Sequence, residues 1–154
     1  MDEKILAERF CSIWKNSGGK DPDELWRTLR DHYQEAHRHY HTLEHLFTLF
    51  RDLDAASVEN DAAAFAVFYH DIIYRPGSRR NEADSAAMAR QVMVRLEVPE
   101  RVYDRVSYFI VCTREHSNPR EDAVAQLFLD ADMAILGCDP DDYAGYSAAV
   151  RREF

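Results

Sequence analysis

At 154 residues the chain has the length of a single domain and enough of it to bury a sizeable core. Apolar residues make up 46% and aromatics 12%, which excludes an intrinsically disordered chain, and five glycines with five prolines favour long helices over strands and turns. A formal net charge of −9 argues against a general nucleic-acid-binding surface, because phosphate backbones reward clustered Lys and Arg.

Nearly every segment repeats its apolar residues at the helical period. From Glu3 to Lys15, the residues Ile5, Leu6, Phe10, Ile13 and Trp14 form one stripe. The linker Asn16 to Asp21 carries two glycines, and Asp21-Pro22 predicts an N-cap with proline at the first helical position. The second helix runs to about Ala36 with Leu25, Trp26, Leu29 and Tyr33 inward. After the short junction RHYH, Thr42 is the candidate cap of a helix bearing Leu43, Leu46, Phe47, Leu49, Phe50 and Leu53. Asn60 or Asp61 opens an alanine-rich helix expected to end near Tyr74, and RPGSRR, residues 75–80, breaks it with the most basic loop of the chain. Asn81, as the cap, begins a helix through about Leu96, and Pro99 starts another reaching about Arg114. Residues 119–122 start one that ends near Gly137, and Asp139-Pro140 caps a last helix still running at Phe154. There is no alternating strand pattern and no internal repeat. The expectation is an all-α, single-domain bundle of roughly seven to eight helices.

Cys11, Cys112 and Cys138 are odd in number and form no CxxC pair, so they read as buried thiols in a reducing compartment. The first thirty residues alternate charge with apolar positions and no apolar run approaches membrane-spanning length, which predicts a cytoplasmic protein without signal peptide or membrane association. A protein of this kind also fits a homodimer.

His70 and Asp71 interrupt the apolar stretch AFAVFYHDIIY. A charged pair there is expensive unless compensated, by a hydrogen-bonded core arrangement or by a bound metal. The wider set of candidate ligands is His41 and His45, then His70-Asp71, then His116, then Asp130 and Asp132 inside FLDADMAILG. His41 and His45 share a face if one helix includes both. His45 precedes His70 by 25 residues, enough for one helix, a turn and a second helix running back. Buried helices that each donate imidazole or carboxylate to one point are how bundle metal sites are built.

The order H…HD…D on an all-helical chain resembles the HD-domain metal-dependent phosphohydrolase superfamily. More narrowly, RHYHTLEHL, FYHDIIYRPGSRRNEADSA and LDADMAILG resemble the bacterial subgroup described as predicted metal-dependent HD superfamily phosphohydrolases, over a span from about Leu25 to the end. The resemblance implies that His45, His70, Asp71 and Asp132 are metal ligands and that a small phosphate ester, for example a nucleotide, is hydrolysed. It also implies that the chain lacks C-terminal helices found in the subgroup. Two imidazoles and two carboxylates suit Mn²⁺, Fe²⁺, Co²⁺, Ni²⁺, Zn²⁺ or, less well, Mg²⁺.

Other residues divide between structural and functional readings. Glu82 opens a helix, where a carboxylate stabilises the N-terminal dipole, or it acts with Asp71 in catalysis as a general base. Arg75, Arg79 and Arg80 are solvated surface, or they bind the substrate phosphate. Arg38 and Arg114 are weaker candidates of that kind. His116 either ends a helix in solvent or, by analogy with dinuclear HD proteins, reaches a second metal or the substrate phosphate, and His41 either caps a loop or serves the metal site as a support or an extra ligand. Rival functions are an HD-type di-iron oxygenase, which needs more ligands, and a non-catalytic metal- or ligand-binding domain.

Overall fold

The computed structural model describes residues 3–17 and 22–154, so the expected Asp21 cap and most of the linker before it lie outside the described residues. The described chain is all helical. Its elements are α1 (Glu3–Asn16), α2 (Pro22–Tyr33), α3 (Leu43–Ala55), α4 (Asp61–Tyr69), α5 (Asn81–Arg95), α6 (Glu100–Cys112), α7 (Ala123–Met133), a 3-10 turn (Ala134–Gly137) and α8 (Pro140–Glu153).

Helix α4 is the axle. Its sequence, DAAAFAVFY, has no polar face after the first residue, and Ala62, Ala63 and all of Phe65 to Tyr69 are buried. A helix apolar all round must be surrounded. The small alanines let neighbours approach, and α4 packs against α1, α3, α5, α6 and α7. Phe68 shows how tightly. Its ring lies 5.1 Å from Phe10 and 4.9 Å from Phe50, centroid to centroid, and is fully buried. Burial of such a ring contributes roughly 1.5–3 kcal/mol.

Side-chain caps set where the helices begin. Thr42 accepts the Glu44 N–H, Asn60 the Ala63 N–H, Asp122 the N–H groups of Val124 and Ala125, and Asp139 those of Asp141 and Asp142. Each satisfies donors that a helix start leaves orphaned. The Asp122 cap begins α7 at Ala123, at the end of the 119–122 segment that the sequence gives as its start. Arg105 grips the same carboxylate through two bonds of 3.0 and 2.9 Å. Asn81 differs from expectation as well. Instead of capping α5, its amide closes a ring with the Arg75 backbone, accepting from Arg75 N and donating to Arg75 O at 3.0 Å each.

The largest difference is the end of α4, which stops at Tyr69 rather than near Tyr74. The backbone groups beyond it are taken by side chains from elsewhere. Arg38 donates to the carbonyls of Asp71 at 2.7 Å and Ile72 at 3.0 Å, and Ser85 Oγ accepts the Ile73 N–H at 3.1 Å. The helix ends because its continuation has better partners.

All three cysteines are free, but only Cys112 is buried; Cys11 and Cys138 are half-buried, contrary to the expectation of three buried thiols. Among the described residues, no helix is long and apolar enough to cross a membrane.

Candidate metal centre

Three helices aim their chemistry at one point. His45 lies in the first turn of α3, His70 terminates α4 with Asp71 following, and Asp132 is the penultimate residue of α7. His45 Nε2 is 3.2 Å from His70 Nε2 and 3.2 Å from Asp132 Oδ1, and His70 Nε2 is 3.7 Å from that oxygen. These three atoms form a group that could hold a metal ion. Asp71 Oδ2 adjoins it, 3.0 Å from His70 Nε2 and 3.9 Å from His45 Nε2. His45 and His70 are buried, and the Asp132 and Asp71 side chains are 13% and 16% exposed.

Proton accounting shows why this cluster wants a cation. His70 Nδ1 lies 2.9 Å from the Val67 carbonyl, which can only accept, so Nδ1 carries the ring proton. In the neutral ring, Nε2 then turns a lone pair toward another imidazole nitrogen and two carboxylate oxygens. Convergent lone pairs in a buried place are repulsive unless a proton or a cation sits among them. Two imidazole nitrogens with carboxylate oxygens make the mixed N/O donor set of a divalent transition ion, and the backbone bond to the second nitrogen of His70 is the usual way a ligand ring is fixed.

The electrostatics agree. Burial opposes a charged His70, but the Asp71 carboxylate beside it, helped by Asp132, pushes its pKa up to about 9. Burial pushes His45 down despite its bond to Asp132. Burial likewise opposes ionisation of Asp71 and Asp132. His70 outweighs it for Asp71, and His116 with His45 and His70 for Asp132, so both carboxyls sit well below the ordinary carboxylate range.

Around the group stand two further imidazoles. His116 Nε2 is 3.0 Å from Asp132 Oδ2, a bond that raises the His116 pKa above its ordinary value, and its backbone has φ +47°. Of the alternatives for His116, solvent, substrate or a second metal, none names Asp132 as its partner; the structure brings it onto that aspartate of the candidate group. His41 precedes α3 rather than joining it, and its Nε2 is 3.9 Å from Asp71 Oδ2. Both line a cleft of about 200 Å³ with Tyr40, Asp132, Leu136 and Tyr146. Asp130 is exposed and accepts a bond from Gln126, so of the two late aspartates Asp132 is the one that reaches the group.

Glu153 is the functional-region residue that sequence reasoning missed. It is the only buried residue of α8, and it accepts hydrogen bonds from His39 N, Tyr40 N, His41 N, His41 Nδ1 and Tyr74 Oη. A signal existed. Tyr146, Val150 and Glu153 share one stripe at helical spacing, and a glutamate on such a stripe needs partners.

Arg38 is corrected from a candidate phosphate ligand to a structural clamp. Its side chain has no exposure, and the guanidinium donates to Glu35, to the carbonyls of His41 and Asp71, and to that of Ile72. It thereby ties the turn before α3 to the turn after α4. Arg38→Met is expected to cost about 3–5 kcal/mol of stability, because it strands buried acceptors. Urea unfolding monitored by tryptophan fluorescence reads it, and a loss below ~1 kcal/mol would contradict the clamp.

The remaining candidates take other partners. Arg75 and Arg80 both pair with Asp84, at 3.0 and 3.1 Å, on a loop that turns at Gly77 with φ +77°. Arg79 and Glu82 line another cleft, together with Ser78, Arg114 and Glu115. Compared against family models, curated proteins and solved structures, the chain matches none, so the reading of this site rests on its own geometry.

Proposed function

We propose that this chain is a divalent-metal-dependent hydrolase acting on a small phosphate ester. The observation that carries the reading is the convergence of His45 Nε2, His70 Nε2 and Asp132 Oδ1, with Asp71 Oδ2 beside them and Asp132 also lining a cleft. When bound, a divalent cation supplies Lewis acidity toward a phosphoryl oxygen. His116 and His41 flank that point, His116 on Asp132 Oδ2 and His41 with Nε2 3.9 Å from Asp71 Oδ2. The size of the cleft suits a small substrate. Arg75, Arg79 and Arg80 supply positive charge on the loop after the HD pair.

The test is phosphate release from a panel of phosphomonoesters by protein stripped with chelator and reloaded separately with Mn²⁺, Fe²⁺, Co²⁺, Ni²⁺, Zn²⁺ and Mg²⁺. Activity is expected to vanish with the metal and return with one or more ions. Stoichiometric metal without hydrolysis of any ester would leave a binding domain.

Glu82 enters the reading as the proton acceptor, and one variant decides it. Glu82→Gln is expected to keep bound metal. A fall in turnover of about 10²-fold or more assigns it the proton. Unchanged turnover leaves it a first-turn carboxylate worth ~0.3–1 kcal/mol of stability. The oxygenase reading draws on one observation, His116 beside the second oxygen of Asp132. Two ions per chain with O₂ uptake would select it.

A further inference from the structure

Five donors meet on the two oxygens of Glu153. The N–H groups of His39, Tyr40 and His41 donate to Oε1 at 2.7, 2.7 and 3.0 Å. His41 Nδ1 and the Tyr74 hydroxyl are 2.7 and 3.0 Å from Oε2. The Glu153 side chain has no exposure, so water does not share in this arrangement. Only an ionised carboxylate offers an acceptor to every one of these groups.

The consequence falls on His41. Because Glu153 accepts, a neutral His41 ring carries its proton on Nδ1 and keeps a lone pair on Nε2. The ring plane is held as well, stacked on Tyr74 at 4.1 Å and 27° and set edge-on to Tyr40 at 5.1 Å and 88°. The free nitrogen lies 3.9 Å from Asp71 Oδ2, and His41 lines the cleft with His116 and Asp132. A gap of that length beside a carboxylate suits a shared water or hydroxyl rather than a direct bond.

We propose that Glu153 is a positioning residue that locks His41 in the Nδ1–H tautomer, so that His41 Nε2 accepts a hydrogen bond from the water or substrate hydroxyl beside Asp71. This rests on the hydrolase reading for its catalytic part. The lock itself belongs to the folded chain and exists without metal or substrate.

Glu153→Gln separates positioning from mere support. An amide has one acceptor oxygen and two N–H donors. With its oxygen kept over the three backbone N–H groups, its NH₂ faces His41 Nδ1 and the Tyr74 hydroxyl. The hydroxyl can rotate and accept. His41 can accept only by moving its proton to Nε2, which removes the lone pair from the cleft side. The turn survives and the tautomer inverts, the kind of change that silences a catalytic histidine without displacing it.

The experiment uses the full chain. Long-range ¹⁵N–¹H spectra of the metal-free protein, with His41→Gln to assign the ring, are expected to show a protonated Nδ1 in the wild type and a protonated Nε2 in Glu153→Gln. With p-nitrophenyl phosphate and the activating metal, Glu153→Gln is expected to lose about 10²-fold in kcat at unchanged KM and metal content. His41→Gln should lose as much, and the double variant no more. A wild-type proton on Nε2, or wild-type kcat in either single variant, overturns the proposal. Where Glu153→Gln does not fold, the wild-type spectrum and His41→Gln turnover decide. A wild type inactive on every ester sinks the hydrolase reading and with it the catalytic part, while the spectra still decide the lock.

Discussion

Replacing His70 by alanine is expected to abolish metal binding and activity and to destabilise the metal-free protein by about 3–5 kcal/mol. The ring fills a buried position edge-on to Phe128, at 5.8 Å between centroids, so its removal opens a cavity. The electrostatic loss is larger in kind. His70 is the group whose proximity holds Asp71 below the ordinary carboxylate range, and it helps to do the same for Asp132. Without it, two poorly hydrated carboxylates must protonate or draw water into the fold. Metal content after gel filtration and urea unfolding in chelator measure the two effects separately. Asp132→Asn should share the loss of metal with a smaller loss of stability, since it keeps shape and removes charge. Full metal content in either variant would remove the centre from this part of the molecule.

Apparent metal affinity is expected to rise with pH until about 9 and then level. The ion must displace the proton that Asp71 and Asp132 hold on His70, whose pKa is pushed up to about 9. Below that value each pH unit should cost about tenfold in affinity for one proton released. Stability of the metal-free protein runs the other way. A raised histidine pKa contributes stability that is complete below the ordinary value of 6.5 and lost as pH climbs through about 9. The loss is of order 3 kcal/mol. Asp71 and Asp132 have depressed pKa values, so their contribution is complete above the ordinary carboxylate range and fades as pH falls below it. Chelator-treated protein should therefore melt highest in mildly acidic solution, while metal-loaded protein should keep its melting temperature to pH 9. Metal titration by competition with a chromogenic chelator, repeated across pH, reads the first effect. A flat affinity between pH 6.5 and 9 would show that no proton on His70 competes with the ion.

Much of this molecule is legible locally. Caps and the helical period act within four residues, so Thr42, Asn60 and Asp139 mark helix starts that the structure bears out. Polar residues intruding on apolar runs are equally local, and they pick out His70, Asp71 and Asp132 without any knowledge of what faces them. A buried charge in such a run must be compensated, which makes the conflict itself informative.

What the sequence by itself determined is therefore the all-helical class, most helix starts and the residues that need partners. Which partners they find was decided by the tertiary structure alone. Arg38 ends α4 from 33 residues away, through the Asp71 carbonyl, and Glu153 fixes His41 from 112 residues away. Asp122 was legible as part of a helix start, but its choice as the cap is reinforced by Arg105 from the preceding helix. His116 reached Asp132 through a backbone turn at positive φ, a conformation histidine adopts more readily than most residues but which the local sequence does not place there. The reason is common to all four. A guanidinium, carboxylate or imidazole can satisfy several donors or acceptors at once, and which ones lie within 3 Å is set by how the helices pack, not by the order of residues along the chain.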